Sequence, residues 1–190
     1  MDQILFETAL GTMGVALRGS ALLALVFGHA SKRSARRALA ARVGTAPTSL
    51  DYWTESPTEV DDLIDRLRDF ADGKPTDFSD VAVDTRGATS FQRSVLEACR
   101  AIPWGETRSY GQLAARVGRP AAARAVGAVM AANRVPLVVP CHRVVAASGG
   151  LGGFSAPQGL VMKRRLLAAE QSFEKFSPRP APRRTLAATQ

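Results

Sequence analysis

A chain of 190 residues with net charge +8, 46% hydrophobic and 22% charged residues, has room for one domain or two small ones sharing an interface, and is too mixed for a fibrous or largely disordered protein. The longest apolar run, Leu22 to Phe27, is far below membrane-spanning length, and MDQILFETALG has no basic flank before an apolar core, so a soluble, cytoplasmic protein without membrane partners is expected. Cys99, Cys141, His29 and His142 are the only cysteines and histidines, too few for a disulfide framework or a four-ligand metal site, so neither metal nor cofactor is expected.

In chain order, Ile4–Ala9, Met13–Leu17 and Leu22–Phe27 are apolar stretches separated by Gly11-Thr12 and Arg18-Gly19-Ser20. That spacing predicts a small antiparallel meander. Residues 31–42 are helix-prone and basic, and Gly44 to Pro57 reads as loop. Thr58-Glu59-Val60-Asp61-Asp62 then opens a helix with acidic residues in its first turn; Leu63, Ile64, Leu67 and Phe70 follow at helical spacing, and Gly73 ends it. Nothing in residues 1–84 carries chemistry, and a scaffold is expected there.

Charge divides the chain. Residues 1–84 hold 9 basic and 13 acidic side chains, residues 85–173 hold 12 and 3, and residues 174–190 hold 4 and 1. The second part is either a solvated basic face or a seat for a polyanion. Thr89 and Gln92 form a capping box before a helix to about Ala101, with Cys99 on its apolar face as core. Pro103-Trp104-Gly105 breaks it. Ser109 and Gln112 cap a short helix over Tyr110–Val117 that stops at Gly118, and Pro120 opens another to about Ala132. Two helices joined by a tight glycine turn are the pattern of a helix-turn-helix. The second of them, AAARAVGAV, has one arginine among residues almost without side chains. It is poor equipment for major-groove reading but allows close approach to a minor groove, with Arg124 as the projecting group. Taken alone, these residues favour the other reading, a buried alanine-rich helix packing tightly on another with Arg124 at its rim.

After Asn133-Arg134-Val135-Pro136, a strand-like Leu137-Val138-Val139 leads into Pro140-Cys141-His142-Arg143. A cysteine beside a histidine and basic residues has what it needs to become a thiolate nucleophile. A histidine base needs an orienting acceptor. Among Glu97, Glu106 and Glu170, the acids of residues 85–173, Glu170 is best placed, near the end of an amphipathic helix over Leu160–Ala169. The glycine-dense 147–155 segment lacks a following Lys-Ser/Thr and is no P-loop. It reads as a flexible loop or as a pocket wall in which Phe154 stacks on a base.

Residues 88–170 resemble the C-terminal domain of the O6-alkylguanine-DNA alkyltransferases through RSYGQLA, AARAVGAVMAAN, VPCHRVV, GGLGGF and KRRLLAAE. The resemblance implies an α/β (α+β) protein: a small N-terminal antiparallel sheet with helices (residues 1–84), a mainly helical winged helix-turn-helix domain carrying the active site (residues 88–173), and a disordered basic tail (residues 174–190). It implies a monomeric methylated-DNA–protein-cysteine S-methyltransferase of direct-reversal repair. Cys141 takes the alkyl group from O6-alkylguanine, and also from O4-alkylthymine, in double-stranded DNA held by the minor groove. Cys141, a water, His142 and Glu170 form the relay, with Asn133 bracing the turn. Tyr110 presses the target phosphate, Arg124 fills the vacated stack, and Ala123, Ala125, Gly127 and Arg143 complete the DNA contact. Pro136, Pro140, Phe154 and Ser155 line the pocket. A thioether is not readily hydrolysed and no second nucleophile is at hand, so the protein is consumed in one turnover.

The sequence departs from the commoner pattern in places. Phe154–Leu160 carries two extra residues, Phe154 stands where tyrosine is frequent, and Arg134 where proline is common. The zinc ligands of some members and the extra cysteine-rich module of the adaptive-response regulators are missing. A non-catalytic lesion-flagging protein and a small-substrate cysteine hydrolase are the alternatives. The first conflicts with the intact Cys141, and the second leaves the small-residue helix unexplained.

Overall fold

The three apolar stretches zip into the expected meander: β1 (Asp2–Thr8), β2 (Gly11–Arg18) and β3 (Ala21–His29) lie in sheet order β1-β2-β3, antiparallel throughout. The computed structural model describes residues 2–44 and 58–176, so the loop expected after Gly44 lies outside the described residues. β2 and β3 are buried along almost their whole length because both faces of the sheet are covered. Ala16, Ala24 and Val26 pack on Ala35 and Leu39 of α1 (Lys32–Val43). Small residues there let helix and sheet approach closely. Val15, Leu17, Leu25 and Phe27 point the other way, into a core shared with the second half of the chain. A capping box of Ser31 and Ser34 starts α1, and Gly44, left-handed at φ 71°, ends it. In α2 (Thr58–Ala71), the periodic Leu63, Ile64, Leu67 and Phe70 are the buried face.

In the second half, α3 (Ser90–Arg100) and α4 (Tyr110–Arg116) start at the capping boxes read from sequence. Thr89 Oγ1 accepts from Gln92 N at 3.2 Å and Ser109 Oγ from Gln112 N at 3.1 Å, and each glutamine side chain accepts the cap's N–H in return. Cys99 is fully buried, as expected of core. α5 (Ala123–Ala131) begins later than predicted. Pro120 sits in the preceding turn, closed by Ala122 N donating to Arg119 O at 2.8 Å, and not at a first helical position. Leu137-Val138-Val139 is also not a strand. Its residues are buried, but in a tight turn with Leu137 at φ 72°. Two short strands, β4 (Arg108–Ser109) and β5 (Val144–Val145), pair in parallel beside the helix-turn-helix. α6 (Leu160–Phe176) outruns its expected end at Ala169, since no glycine or proline interrupts the chain before Pro178. It therefore takes in residues 174–176 of the expected tail, and 177–190 lie outside the described residues.

Later chain covers the free edge of β3. Leu22 N donates to Ala82 O at 2.8 Å and Asp84 N to Leu22 O at 2.9 Å within residues 1–84, and Leu25 N donates across to Arg134 O of the second half at 2.8 Å. These bonds satisfy an edge that would otherwise invite foreign strands. At the end of β3, Gly28 has φ 75°, and a Cβ there would lie 2.9 Å from Met162 Cε of α6. Gly28→Ala should therefore lower stability by about 1–3 kcal/mol, from backbone strain and the forced shift of a fully buried methionine. Urea unfolding should show a lower midpoint at unchanged slope; an unmoved midpoint would mean the junction is looser than its geometry.

Candidate active site

Cys141 opens a single 3-10 turn, Cys141–Arg143, entered from the buried turn around Leu137. Asn133 builds that approach. Its Nδ2 donates to Val139 O at 2.9 Å and its Oδ1 accepts from Val135 N at 3.0 Å, closing the loop in which Leu137 is strained. Cys141 N then donates to Val139 O at 2.7 Å. The bracing residue expected from sequence thus spans the turn just before the nucleophile.

Behind the cysteine, Glu170 of α6 sits at 1% side-chain exposure against a fully buried His142. Glu170 Oε1 lies 2.8 Å from His142 Nε2. It also accepts from Arg143 Nε at 3.1 Å and Nη2 at 3.0 Å, while Oε2 accepts from Arg143 Nε at 3.1 Å and Gly105 N at 3.2 Å. Arg143 Nη1 donates to Ile102 O at 2.7 Å. Arg143 is therefore a buried strut of the carboxylate, which corrects its expected place on the DNA surface. Beside a carboxylate this well supplied, burial outweighs the chance of meeting phosphate. Phe70 of α2 lies edge-on to the imidazole at 6.0 Å, so both halves enclose it.

The titrations follow from these contacts. Burial lowers the His142 pKa from its ordinary 6.5, and the attraction of Glu170 does not make up the loss, so the imidazole is neutral at neutral pH. Burial opposes ionising Glu170, but the hydrogen bonds and charges of His142 and Arg143 outweigh it and hold the carboxyl below its usual range. An ionised carboxylate only accepts, so Nε2 carries the proton that it receives. Nδ1, which makes no hydrogen bond within the protein, is left as a base. Burial also pushes the Cys141 thiol up, while Asn133 and the charges of Lys163 and Arg42 pull it back without cancelling the burial. The resting group is a thiol.

Lys163 and Arg42 were not picked out from sequence. Lys163 is fully buried on α6 and donates to Val144 O at 2.6 Å and Leu151 O at 2.5 Å, tying the reactive turn to the glycine-rich segment. A cation inside a KRR triplet reads as a solvated face, and only its place on the buried side of α6 distinguishes it. Among the described residues, no group of three or more His, Cys, Asp or Glu could hold a metal.

A cavity of about 580 Å³ opens onto Cys141. Pro136, Phe154 and Ser155 line it, as expected, and Tyr110 and Asn133, expected at the DNA and as a brace, line it too. Pro140 does not; it faces a different cavity with Trp104 and Arg143 on the far side of the turn, which removes it from the pocket. The opposite wall comes from residues 1–84: Phe27, His29, Ala38 and Arg42. Phe154 packs edge-on against Phe27 at 6.2 Å. Tyr110 stands close to both neighbouring elements; a Cβ on Gly127 would lie 3.9 Å from its ring, and one on Gly152 only 2.6 Å from its hydroxyl. On α5, Val126, Val129 and Met130 are buried while Arg124, Ala125 and Ala128 are exposed and Ala123 and Gly127 half-covered. The packing helix and the small-residue surface are two faces of one element.

Fold and site together define a helix-turn-helix protein with a buried cysteine, beside a histidine–carboxylate pair, at the wall of a cavity next to the helix pair. The model of the 6-O-methylguanine DNA methyltransferase DNA-binding domain matches residues 90–172. A methylated-DNA–protein-cysteine methyltransferase of Mycobacterium tuberculosis is 44% identical over 128 residues, 67% of this chain and 75% of that protein. One from Salmonella typhimurium is 45% identical over 119 residues, 63% and 68% of the two chains. The crystal structure of Mycobacterium tuberculosis OGT in complex with DNA superposes with a TM-score of 0.67 at 35% identity, covering 90% of this chain and 92% of that one. The Mycobacterium tuberculosis O6-methylguanine methyltransferase gives 0.69 at 35% identity over 93% and 94%. The chain belongs to the methylated-DNA–protein-cysteine methyltransferases, a family of DNA-repair alkyltransferases.

Two outcomes check the buried cluster. Glu170→Gln leaves Arg143 buried without its counter-charge and should cost about 3–5 kcal/mol of stability in urea unfolding. Both His142 and Glu170 have folded pKa values below their ordinary 6.5 and 4.5, so the unfolded chain binds more protons as pH falls. Their contributions are complete above those ordinary values and are lost on acidification through the folded ones. The urea midpoint should fall first below pH 6.5 and further below 4.5. A midpoint that rises between about pH 7 and 5.5 would mean that His142 is charged in the folded protein.

Proposed function

We propose that this protein repairs O6-alkylguanine in double-stranded DNA by moving the alkyl group irreversibly to Cys141, and acts on O4-alkylthymine in the same way. The observation that carries this reading is Cys141 at the wall of a cavity beside the helix-turn-helix, followed in the chain by a buried, neutral His142 whose Nε2 meets ionised Glu170 and whose Nδ1 has no partner within the protein. The thiol proton passes through a water to His142 Nδ1, Glu170 stabilises the imidazolium, and Sγ attacks the alkyl carbon. The S–C bond forms as the O6–C bond breaks, the electron pair stays with the base, and guanine is restored by proton uptake. The thioether has no resolving group, so each molecule acts once.

A base stacked in a duplex cannot reach this cavity, so the nucleotide is flipped, at a cost of a few kcal/mol. The exposed face of α5 enters the minor groove, where Ala123, Ala125 and Gly127 permit close approach and Arg124 fills the gap left in the stack. Tyr110 presses the phosphate of the rotating nucleotide, and Pro136, Phe154 and Ser155 hold the base. Residues 88–173 do this work, residues 1–84 support it, and the protein acts as a monomer. A cavity of about 580 Å³ leaves room beside guanine for a substituent as large as benzyl.

Incubation with a duplex containing O6-methylguanine, followed by intact-mass and peptide measurement, should find one methyl on Cys141, none on Cys99, and turnover ending at one equivalent. Repeated turnover would point to a hydrolase, and binding without transfer to a lesion-flagging protein. Arg124→Ala should slow repair of the duplex about 10- to 100-fold, roughly 1.4–2.8 kcal/mol of lost stack-filling, while reaction with free O6-benzylguanine is little changed. Equal losses on both substrates would take Arg124 out of the flipping step.

A further inference from the structure

α1 belongs to the half of the chain without motifs, yet its last turn reaches the reactive centre. Arg42 Nη1 donates to the backbone carbonyl of Asn133 at 2.7 Å. Asn133 is the residue that closes the turn before Cys141, and Arg42 and Cys141 line the same cavity. The helix is held in place without Arg42: Ala35, Leu39 and Ala40 bury its inner face, and caps secure both ends. β3 fixes the neighbouring backbone through the bond from Leu25 N to Arg134 O. A half-buried guanidinium carried to this point costs desolvation, and the carbonyl it meets does not neutralise it.

We propose that Arg42 is a positioning residue for the alkyl-acceptor cysteine, a cation delivered by the N-terminal half that holds the Asn133 carbonyl and biases Cys141 toward thiolate. This rests on Cys141 being the nucleophile assigned above. A positive charge across a cavity stabilises the anionic form of the thiol and disfavours the neutral form. The attraction is mutual: burial lowers the Arg42 pKa and Cys141 pulls it back up. Other charged or titratable groups face or adjoin the same thiol. Lys163 approaches from α6, Tyr110 from α4 and Cys99 from α3; His29 lines the cavity from β3, and His142, Arg143 and Glu170 form the cluster behind. Lys163 acts in the same direction as Arg42. His29, whose pKa is lowered by its partial burial and then by Arg42, is neutral at the pH where the thiol titrates.

The test is the pH–rate profile for iodoacetamide labelling of Cys141 in the full chain, read by peptide mass. Iodoacetamide needs neither DNA nor guanine, so its result stands apart from any failure of alkyl transfer from DNA. Arg42→Gln removes the charge but keeps a polar side chain, and Arg42→Lys keeps the charge. The Gln variant should titrate about half to one pH unit higher, with roughly three- to tenfold less thiolate at neutral pH and recovery at high pH, while the Lys variant follows the parent. Arg42→Met, neutral and without a donor, should match the Gln variant and takes its place if Gln does not fold. The proposal is overturned if both neutral variants superimpose on the parent, if they lose the same fraction of rate at every pH, or if Lys shifts as far as Gln.

Discussion

Placing a carboxylate among apolar side chains is costly unless every lone pair finds a donor, and in this protein the site is organised around meeting that demand at Glu170. Its oxygens take His142, Arg143 and the N–H of Gly105, and Arg143 passes the connection on to the Ile102 carbonyl. One side chain on α6 therefore fixes the loop after α3, the 3-10 turn that presents Cys141, and the tautomer of the imidazole. Phe70 packs edge-on to Trp104 at 5.3 Å and to His142 at 6.0 Å, so aromatic rings adjoin the same cluster. Burial strengthens its hydrogen bonds and leaves each member little tolerance for loss of another.

The cysteine obeys the opposite balance. Burial favours its neutral form, and the cations around it, Lys163 and Arg42, only partly offset that. A resting thiol is a poor nucleophile and a poor target for oxidation. In the proposed mechanism the neutral imidazole is the base, because Glu170 occupies Nε2 and leaves Nδ1 able to accept. A permanently charged histidine would give a more acidic cysteine but no base. The depressed His142 pKa thus suits proton removal better than standing electrostatic activation.

Local rules made much of the fold legible. The Thr89/Gln92 and Ser109/Gln112 boxes announced α3 and α4, and the Leu63, Ile64, Leu67, Phe70 spacing announced α2, because caps and amphipathic faces depend on residues a turn apart. Glu170 was found by elimination in a region poor in acids. The misses turn on contacts that composition does not announce, some of them between residues distant in sequence. Leu137-Val138-Val139 has the composition of a strand, and only the Asn133 clamp makes it a turn. Arg143 looked like a phosphate contact because its pairing with Glu170 spans 27 residues. Arg42 lies 91 residues from the carbonyl it holds, in a helix with no motif. Pro140 adjoins Cys141 in the chain but lines a different cavity, since a 3-10 turn sends successive residues in different directions.

Tyr110 shows how the two faces of the site are kept together. It is the first residue of α4, so the Ser109 cap sets the direction in which its ring leaves the helix. From there the ring passes beside Gly127 of α5 and reaches Gly152 with its hydroxyl. Gly127 belongs to the surface-facing helix and Gly152 to the glycine-rich segment whose next residue, Gly153, lines the cavity, so one aromatic side chain touches both elements. Space for it is tight on one side only. A methyl at Gly127 would make ordinary contact with the ring, whereas a methyl at Gly152 would overlap the hydroxyl on a backbone already at φ 68°. Lys163 holds this same segment by the Leu151 carbonyl and the reactive turn by the Val144 carbonyl. The distance between helix surface, pocket wall and nucleophile is therefore set by a chain of short, directional contacts.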